Sequence, residues 1–571
     1  MYLRSTPRKN KDGSVVRYLQ LAHNTWDPAA KRSRVQVVYN FGREDAANRA
    51  ALERLVASVS RFLDPDRALA AATEGLSFIE SRPLGGVWAL DGLWRRLGIG
   101  TTMTRLLGGR RLDERAERVL FALVANRALA PSSKLAAAGW VCEDVPIQGL
   151  PETSDDACYR AMDWLLEITD ALEQEVFHQV ANLLNLEVDL LFFDTTSTYF
   201  ELDEPDAPVA RDERGTLLPE TDGDGDGDGE KLAGFRSFGK SKDHRDDLPQ
   251  VVIGMAVTRT GIPVRVWCWP GNTTDSALIR QVKDDLRDWT LARVIWVADR
   301  GFASAGNRRY LRRGDHHYII GEKLRSGSHD AKAALSRQGR YQDVAANLRI
   351  KEVRIADDER FVVCYNPEAA DRDAAVRARL LAQLEETIAG TDKLPATKRA
   401  ELRGVISTKP GLHRYLRTTP GGLLRIDKQA IKAETNLDGK YLLRCSDPHL
   451  SAEDIALGYK QLLEVERGWR DLKQVIDLRP IYHRKEQRIR AHVILCWLAL
   501  LLVRVIETTC GSPWPALRRE LDRIKIGTFT GPAGTFRQRT EITKAQRDIL
   551  AQLDLAEPPR VYQLTPATAD A

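Results

Sequence analysis

Residues 188–200 read VDLLFFDTTSTYF. Leu190 to Phe193 form an unbroken apolar run that ends on an acid, Asp194. A strand covered on both faces needs no alternation of polar and apolar residues, so the run predicts a buried central strand. A lone carboxylate carried into such a place is costly and needs a partner or a cation. Taken alone, Asp194 also reads as a polar strand-end cap. A second stretch repeats the design. VIWVA at 294–298 is followed by Asp299, then Arg300, Gly301 and Phe302. Two buried strands thus each deliver an Asp to their C-terminal ends, where open α/β sheets place their sites.

The intervening and following segments supply the rest of an α/β unit. Gln250–Thr258 and Ile262–Trp269 alternate around Gly261 and predict a hairpin. Asn272, Thr273, Thr274 and Asp275 open a helix over Ser276–Trp289; a short helix at 303–313 and a strand at 317–320 follow. Residues 324–438 break this rhythm and are read as an inserted domain, mostly β. Lys440–Cys445 is one more strand-like piece. Directly after it comes SAEDIALGYKQLLEVERGWRDLKQVI, residues 451–476. Ser451 is a fitting N-cap with Asp454 three residues on, and no proline interrupts the run before Pro480. On one continuous helix Tyr459, Glu466 and Lys473, seven apart, lie nearly on a line, while Glu464 points elsewhere. By itself this helix reads equally well as amphipathic with solvated charges.

The full partition is a small β unit at 1–45, a helical region at 46–185 read as DNA-end binding, a core in two parts at 186–323 and 439–510, the insertion at 324–438, and a C-terminal region at 511–571 with a disordered tail. Bases outnumber acids in the first unit; a DNA-touching arm and a solvated edge are both open there. Nothing in the helical region is a specific helix-turn-helix signature. Residues 201–248 hold an acidic insertion with GDGDGDG at its centre. Twelve positions counted from Asp222 or Asp224 end on Ala233 or Phe235 instead of a Glu, so a calcium loop is excluded and a flexible linker is expected. It leads into a basic cluster, Lys240, Lys242, His244 and Arg245, suited to backbone phosphates.

The composition is globular, with 43% hydrophobic and 29% charged residues over 571 positions, enough for two to four domains. A net charge of +5 permits nucleic-acid binding without indicating it. The seven cysteines contain no CxxC pair, which argues against a zinc site or a disulfide frame. The N-terminus lacks an apolar signal core. The most apolar run, Val493–Ile506, is short for a span and holds Arg504, so a buried helix is expected, with no membrane association. These features predict a cytoplasmic, nucleoid-associated protein.

Put together, the order is strand with Asp194, hairpin, helix, strand with Asp299, helix, strand, insertion, and a helix with Glu466. This is the layout of an α/β RNase H-like core, preceded by a helical N-terminal region. Three carboxylates suit two divalent cations about 4 Å apart, one activating the attacking oxygen and one stabilising the leaving oxygen of a phosphodiester. Magnesium, with manganese as substitute, takes such hard oxygen ligands.

The segments around FFDTT, VADRGF, SKDHRDDLPQ and PGNTTD resemble the DDE transposases of bacterial insertion sequences. The glutamate helix is similar to the branch with the signature Y-x2-R-x3-E-x6-K, here Tyr459, Leu462, Glu466 and Lys473; leucine stands in place of the signature arginine. The resemblance covers roughly residues 185–510. It implies Asp194, Asp299 and Glu466 as catalytic metal ligands, and phosphate contacts by Tyr459 and Lys473. Lys242, Arg245, Arg300 and Arg470 are further expected DNA contacts. It implies cut-and-paste transposition: Mg²⁺-dependent nicking at the terminal inverted repeats of double-stranded DNA, then strand transfer by the freed 3′-hydroxyl, with a homodimer in the synaptic complex. A domesticated relative that binds DNA without cutting it is the alternative. A glycosidase with paired carboxylates is disfavoured by the flanking Lys and Arg clusters.

Overall fold

A computed structural model describes residues 1–64, 75–108, 115–184, 189–211, 217–218, 233–289, 293–356, 359–531 and 534–566. The chain divides into two units, one built from 1–81, 526–540 and 559–571, the other from 82–525 and 541–558.

The first unit opens on strands. β1 (Tyr2–Lys9), β2 (Val15–Asp27) and β3 (Arg32–Arg43) form an antiparallel sheet in that order. Pro7 is tolerated because β1 is an edge strand. α1 (Ala46–Leu63) follows, capped by the Asp45 carboxylate, which accepts the Asn48 N–H at 2.9 Å. β4 (Ser77–Pro83) then belongs to a second sheet. The expected helical N-terminal region is corrected: the N-terminus is mostly strands, and although α1 does begin at residue 46, the next helix among the described residues begins at residue 85.

In the second unit α2 (Gly85–Arg96), α3 (Ile99–Leu107), α4 (Ala116–Leu129), α5 (Lys134–Glu143) and α6 (Asp155–Leu184) form a scaffold. α4 is buried at every position but Arg118, so it is core all round. α6 is a single helix of 30 residues. β5 (Leu190–Tyr199), β6 (Gln250–Thr258), β7 (Pro263–Pro270), α7 (Asp275–Asp285), β8 (Ile295–Ala298), α8 (Ala305–Leu311) and β9 (His317–Glu322) follow the predicted rhythm. Residues 212–216 and 219–232, with the GDGDGDG tract, lie outside the described residues.

The insertion is not mostly β. It contributes α9 (His329–Ser336), β10 (Gln342–Ala345), β11 (Leu348–Ala356), β12 (Glu359–Tyr365), α10 (Pro367–Ile388), α11 (Ala396–Ser407), α12 (Pro410–His413), the short pair β13 (Leu416–Thr418) and β14 (Leu424–Ile426), and α13 (Lys428–Thr435). It holds more helix than strand, with a small core of its own around Leu384, Ile406, Leu412 and Tyr415. Its three longer strands extend the central sheet, because β15 (Lys440–Cys445) pairs with β12 on one side and β9 on the other. The result is a nine-stranded sheet in the order β10-β11-β12-β15-β9-β8-β5-β6-β7. β5, β8 and β9 are parallel; β6 and β7 return as an antiparallel hairpin. Phe193, Trp267, Trp296, Phe302 and Tyr318 pack on one face of it.

The expected single helix over 451–476 is two, α14 (Ala452–Lys460) and α15 (Leu463–Gln474). At the junction the bonds tighten to an i→i+3 pattern, with Gln461, Leu462, Glu464 and Val465 each donating to the carbonyl three residues back. That turn removes the straight seven-residue line. α16 (Glu486–Cys510) is the longest apolar helix, buried from Val493 to Ile506. It is the one helix among the described residues long and apolar enough to cross a membrane, and 94% of that window is buried inside the fold. Arg504 is tolerated there because it pairs with Asp471 of α15 and with Glu507, each at 2.7 Å. α17 (Trp514–Leu521), β16 (Lys525–Gly531), β17 (Gly534–Arg539), α18 (Lys544–Gln552) and β18 (Val561–Pro566) end the chain. β18 pairs with β17 in the sheet of β4 and β16, which corrects the expectation of a disordered tail over its described part. Alternating Val561, Gln563 and Thr565 suit an edge strand.

Candidate active site

Asp194 is the first half-exposed residue after four buried ones on β5. In the parallel register Phe193 sits opposite Ala298, so the next residues, Asp194 and Asp299, leave neighbouring strands side by side. Asp299 caps a single 3₁₀ turn, Arg300–Phe302, and its Oδ1 accepts the Gly301 N–H at 2.6 Å.

A third carboxylate joins them. Asp275 begins α7, and its Oδ1 accepts the Thr195 hydroxyl at 2.7 Å. A Cβ added at Gly301 would lie 2.9 Å from Asp299 Oδ1 and 3.9 Å from Asp275 Oδ2, so both acids border the same glycine. Sequence reading treated Asp275 only as a helix start. The signal available was its place in a polar loop before that helix, but a neighbour 80 residues upstream is set by sheet pairing alone.

Lys242 completes the cluster. Its Nζ donates to Thr195 O at 2.7 Å and Oγ1 at 2.6 Å, and stands 3.7 Å from Asp194 Oδ1 and 3.4 Å from Asp275 Oδ2. Burial pushes the Asp194 carboxyl up to about 6; Lys242 and the Thr195 N–H oppose this, and Asp299 and Asp275 add to it. Tyr459 enters from α14. Its ring stacks on Tyr441 at 6.1 Å, and a Cβ at Gly321 would come within 2.5 Å of its oxygen. Burial first, then Asp299 and Asp194, hold its hydroxyl protonated well above the usual phenol range, while Arg300 opposes them.

The other expected residues spread outward. Lys473 pairs with Asp243 at 2.9 Å, beside Lys242, and Arg479 joins the same carboxylate at 3.3 Å. Arg300 is exposed next to Asp299. Arg245 is partly exposed and engaged with Asp247 at 2.8 Å. Arg470 is exposed on α15. Glu466 is exposed and its side chain has no partner among the described residues. Val465, Gly468, Trp469 and Leu472 form the buried stripe of α15. Glu466 shares a flank with Lys473, away from Asp471 and Arg504. The structure therefore gathers Asp194 and Asp299 with Asp275, Lys242 and Tyr459. No group of three or more His, Cys, Asp or Glu side chains among the described residues is placed to hold a metal ion. The paired carboxylates of Asp194 and Asp299 do fit a hard divalent cation in donor type, and the Lys242 ammonium marks where positive charge is favoured.

Acids at the C-terminal ends of two adjacent parallel strands, in a mixed α/β core, are the arrangement expected of a DDE-type transposase domain. Residues 249–502 match the transposase DDE domain model, a span that includes Asp299 and Glu466 and begins after Asp194. Residues 3–71 match the model described as IS1634 family transposase, N-terminal domain. The chain is an insertion-sequence DDE transposase. No curated protein matches it. Among solved structures, the piggyBac transposase synaptic complex with hairpin DNA, determined by cryo-EM, aligns with a TM-score of 0.35 and 10% identity, covering 78% of this chain and 82% of that one. At that score the likeness carries no argument.

Proposed function

We propose that this transposase moves its element by cut-and-paste, with Asp194 and Asp299 as the strand-borne metal ligands and Glu466 as the third. The observation that carries the reading is the register of Phe193 with Ala298, which sets the two aspartates side by side. The strands in the order β9-β8-β5-β6-β7, with only the hairpin antiparallel, support an RNase H-like core. Magnesium, or manganese in its place, would supply Lewis-acid stabilisation of charge on the phosphate oxygens.

The chain's own groups do the rest. Asp194 and Asp299 would hold the cation as carboxylates. Lys242, which stands against Asp194 and Asp275, would be free to contact a phosphate oxygen once a cation balanced those acids. Tyr459, a phenol throughout, would donate a hydrogen bond to a phosphate oxygen. In the first step water attacks the scissile phosphorus, the P–O3′ bond breaks and the 3′-oxygen takes up a proton. In the second, that 3′-hydroxyl attacks a target phosphorus and displaces another 3′-oxygen. Two copies of the chain would hold the two inverted-repeat ends.

The test separates binding from cutting. Purified protein should bind an end-containing duplex in EDTA and nick it only after Mg²⁺ or Mn²⁺ is added. Binding with no nicking in either metal would favour the alternative, a DNA-binding relative without cleavage.

A further inference from the structure

We propose that the face of the β1-β2-β3 sheet opposite α1 reads base edges in the major groove of duplex DNA. This rests on the transposase reading but concerns recognition, which the acids do not supply. Residues 1–43 hold nine Lys and Arg against two acids, Asp12 and Asp27, a net +7 in a chain whose total is +5. The positive charge of the whole protein is therefore carried by this one sheet, and the remainder is slightly acidic.

The two faces of the sheet differ. On one, Leu21, Tyr39 and Phe41 line a cavity together with Leu52 and Leu55 of α1. On the other, the registers build two polar rows across all three strands. Arg4 lies opposite Gln20, and Gln20 opposite Asn40. Thr6 lies opposite Tyr18, and Tyr18 opposite Arg43. Directly paired residues project on one side. The side chains confirm it: Arg4 Nε donates to Thr6 Oγ1 at 3.2 Å, and Thr6 Oγ1 to Gln20 Oε1 at 3.3 Å.

These bonds orient the readers without using them up. Arg4 keeps its terminal N–H groups for the two acceptors of a guanine, and Gln20 and Asn40 keep amide N–H groups for an adenine. Three strands span about 10 Å, and the major groove is about 12 Å wide. The β2 and β3 bulges, between Leu19 and Gln20 and between Leu21 and Ala22, add the twist that a groove requires. Arg, Gln and Asn side by side in one row are base-reading chemistry, whereas a face that only neutralised phosphates would need charge alone.

The experiment uses the full chain in EDTA, so that cutting plays no part. The probe is a fluorescent 30-bp duplex selected by the wild-type protein from a randomised pool, with a scrambled duplex beside it. Arg4→Ala, Gln20→Ala and Asn40→Ala should each reduce the preference for the selected over the scrambled duplex about 5- to 100-fold. Lys9→Ala and Arg17→Ala, on the α1 side, should weaken both duplexes alike and leave the preference intact. Far-ultraviolet dichroism shows whether each variant retains the fold, and Gln20→Glu, which keeps the size, should lose the preference as well. Unchanged preference in the Arg4, Gln20 and Asn40 variants, or its loss only in the Lys9 and Arg17 variants, overturns the inference and leaves the proposed chemistry standing. Failure of wild-type protein to bind any duplex overturns both.

Discussion

At the scale of single residues, the site is a matter of one carboxylate made uncomfortable and several neighbours that respond. Asp194 is pushed up by burial and by two further acids, and Lys242 is the counterweight. Glu173 of α6 shows the same physics away from the site. Burial raises its carboxyl to about 8, outweighing Arg265 with its Nε at 3.1 Å. Its folded value lies above its unfolded one, so its contribution to stability is complete below about 4.5 and is lost as pH rises through about 8. Glu173→Gln should therefore flatten that decline, with a gain on the order of a few kcal/mol at pH 8 to 9 in denaturant titrations; an unchanged pH profile would refute the assignment. Gly321→Ala tests the placing of Tyr459. The added methyl meets the phenol oxygen at 2.5 Å, so nicking should fall roughly tenfold or more while DNA binding in EDTA holds. Both aspartates could be read from the sequence because each ends an unbroken apolar run. Asp275 could not, since only the folded sheet brings α7 to Thr195.

At the scale of elements, the least readable feature was the break between α14 and α15. Neither proline nor glycine marks Gln461–Leu462, and periodicity continues through it. What holds α15 is tertiary: Arg504 inside the buried α16 grips Asp471, and Arg467 reaches Glu507 at 3.2 Å. A charge in an apolar run looked like a reason to doubt a membrane span, and the fold gives it a structural role. Arg504→Met would leave the half-buried Asp471 without its closest cation and Glu507 with Arg467 alone, a loss of about 2–4 kcal/mol measurable by chemical denaturation. A variant as stable as the parent would show that the pair does not anchor α15. The insertion was misread for a related reason. Its strands are visible as alternating segments, but their membership in the central sheet depends on β15, which begins at Lys440, far along the chain from the end of β12 at Tyr365, folding between β12 and β9.

At the scale of the whole molecule, two tasks fall to different units. The first sheet carries the excess positive charge and a polar, ordered face; the central sheet carries the acids. Removing divalent cations with EDTA should abolish strand cleavage without releasing DNA, as measured by gel mobility beside a nicking assay. The central claim is that Asp194 and Asp299 hold the cation that cleavage needs. The most direct test replaces each carboxylate by a softer ligand and asks for a change of metal preference. Asp194→Cys and Asp299→Cys should lose nicking of an end-containing duplex in Mg²⁺ by roughly 10³-fold or more and recover a measurable part of it in Mn²⁺, while wild-type protein works in both. Full nicking by either variant in Mg²⁺ would contradict the account.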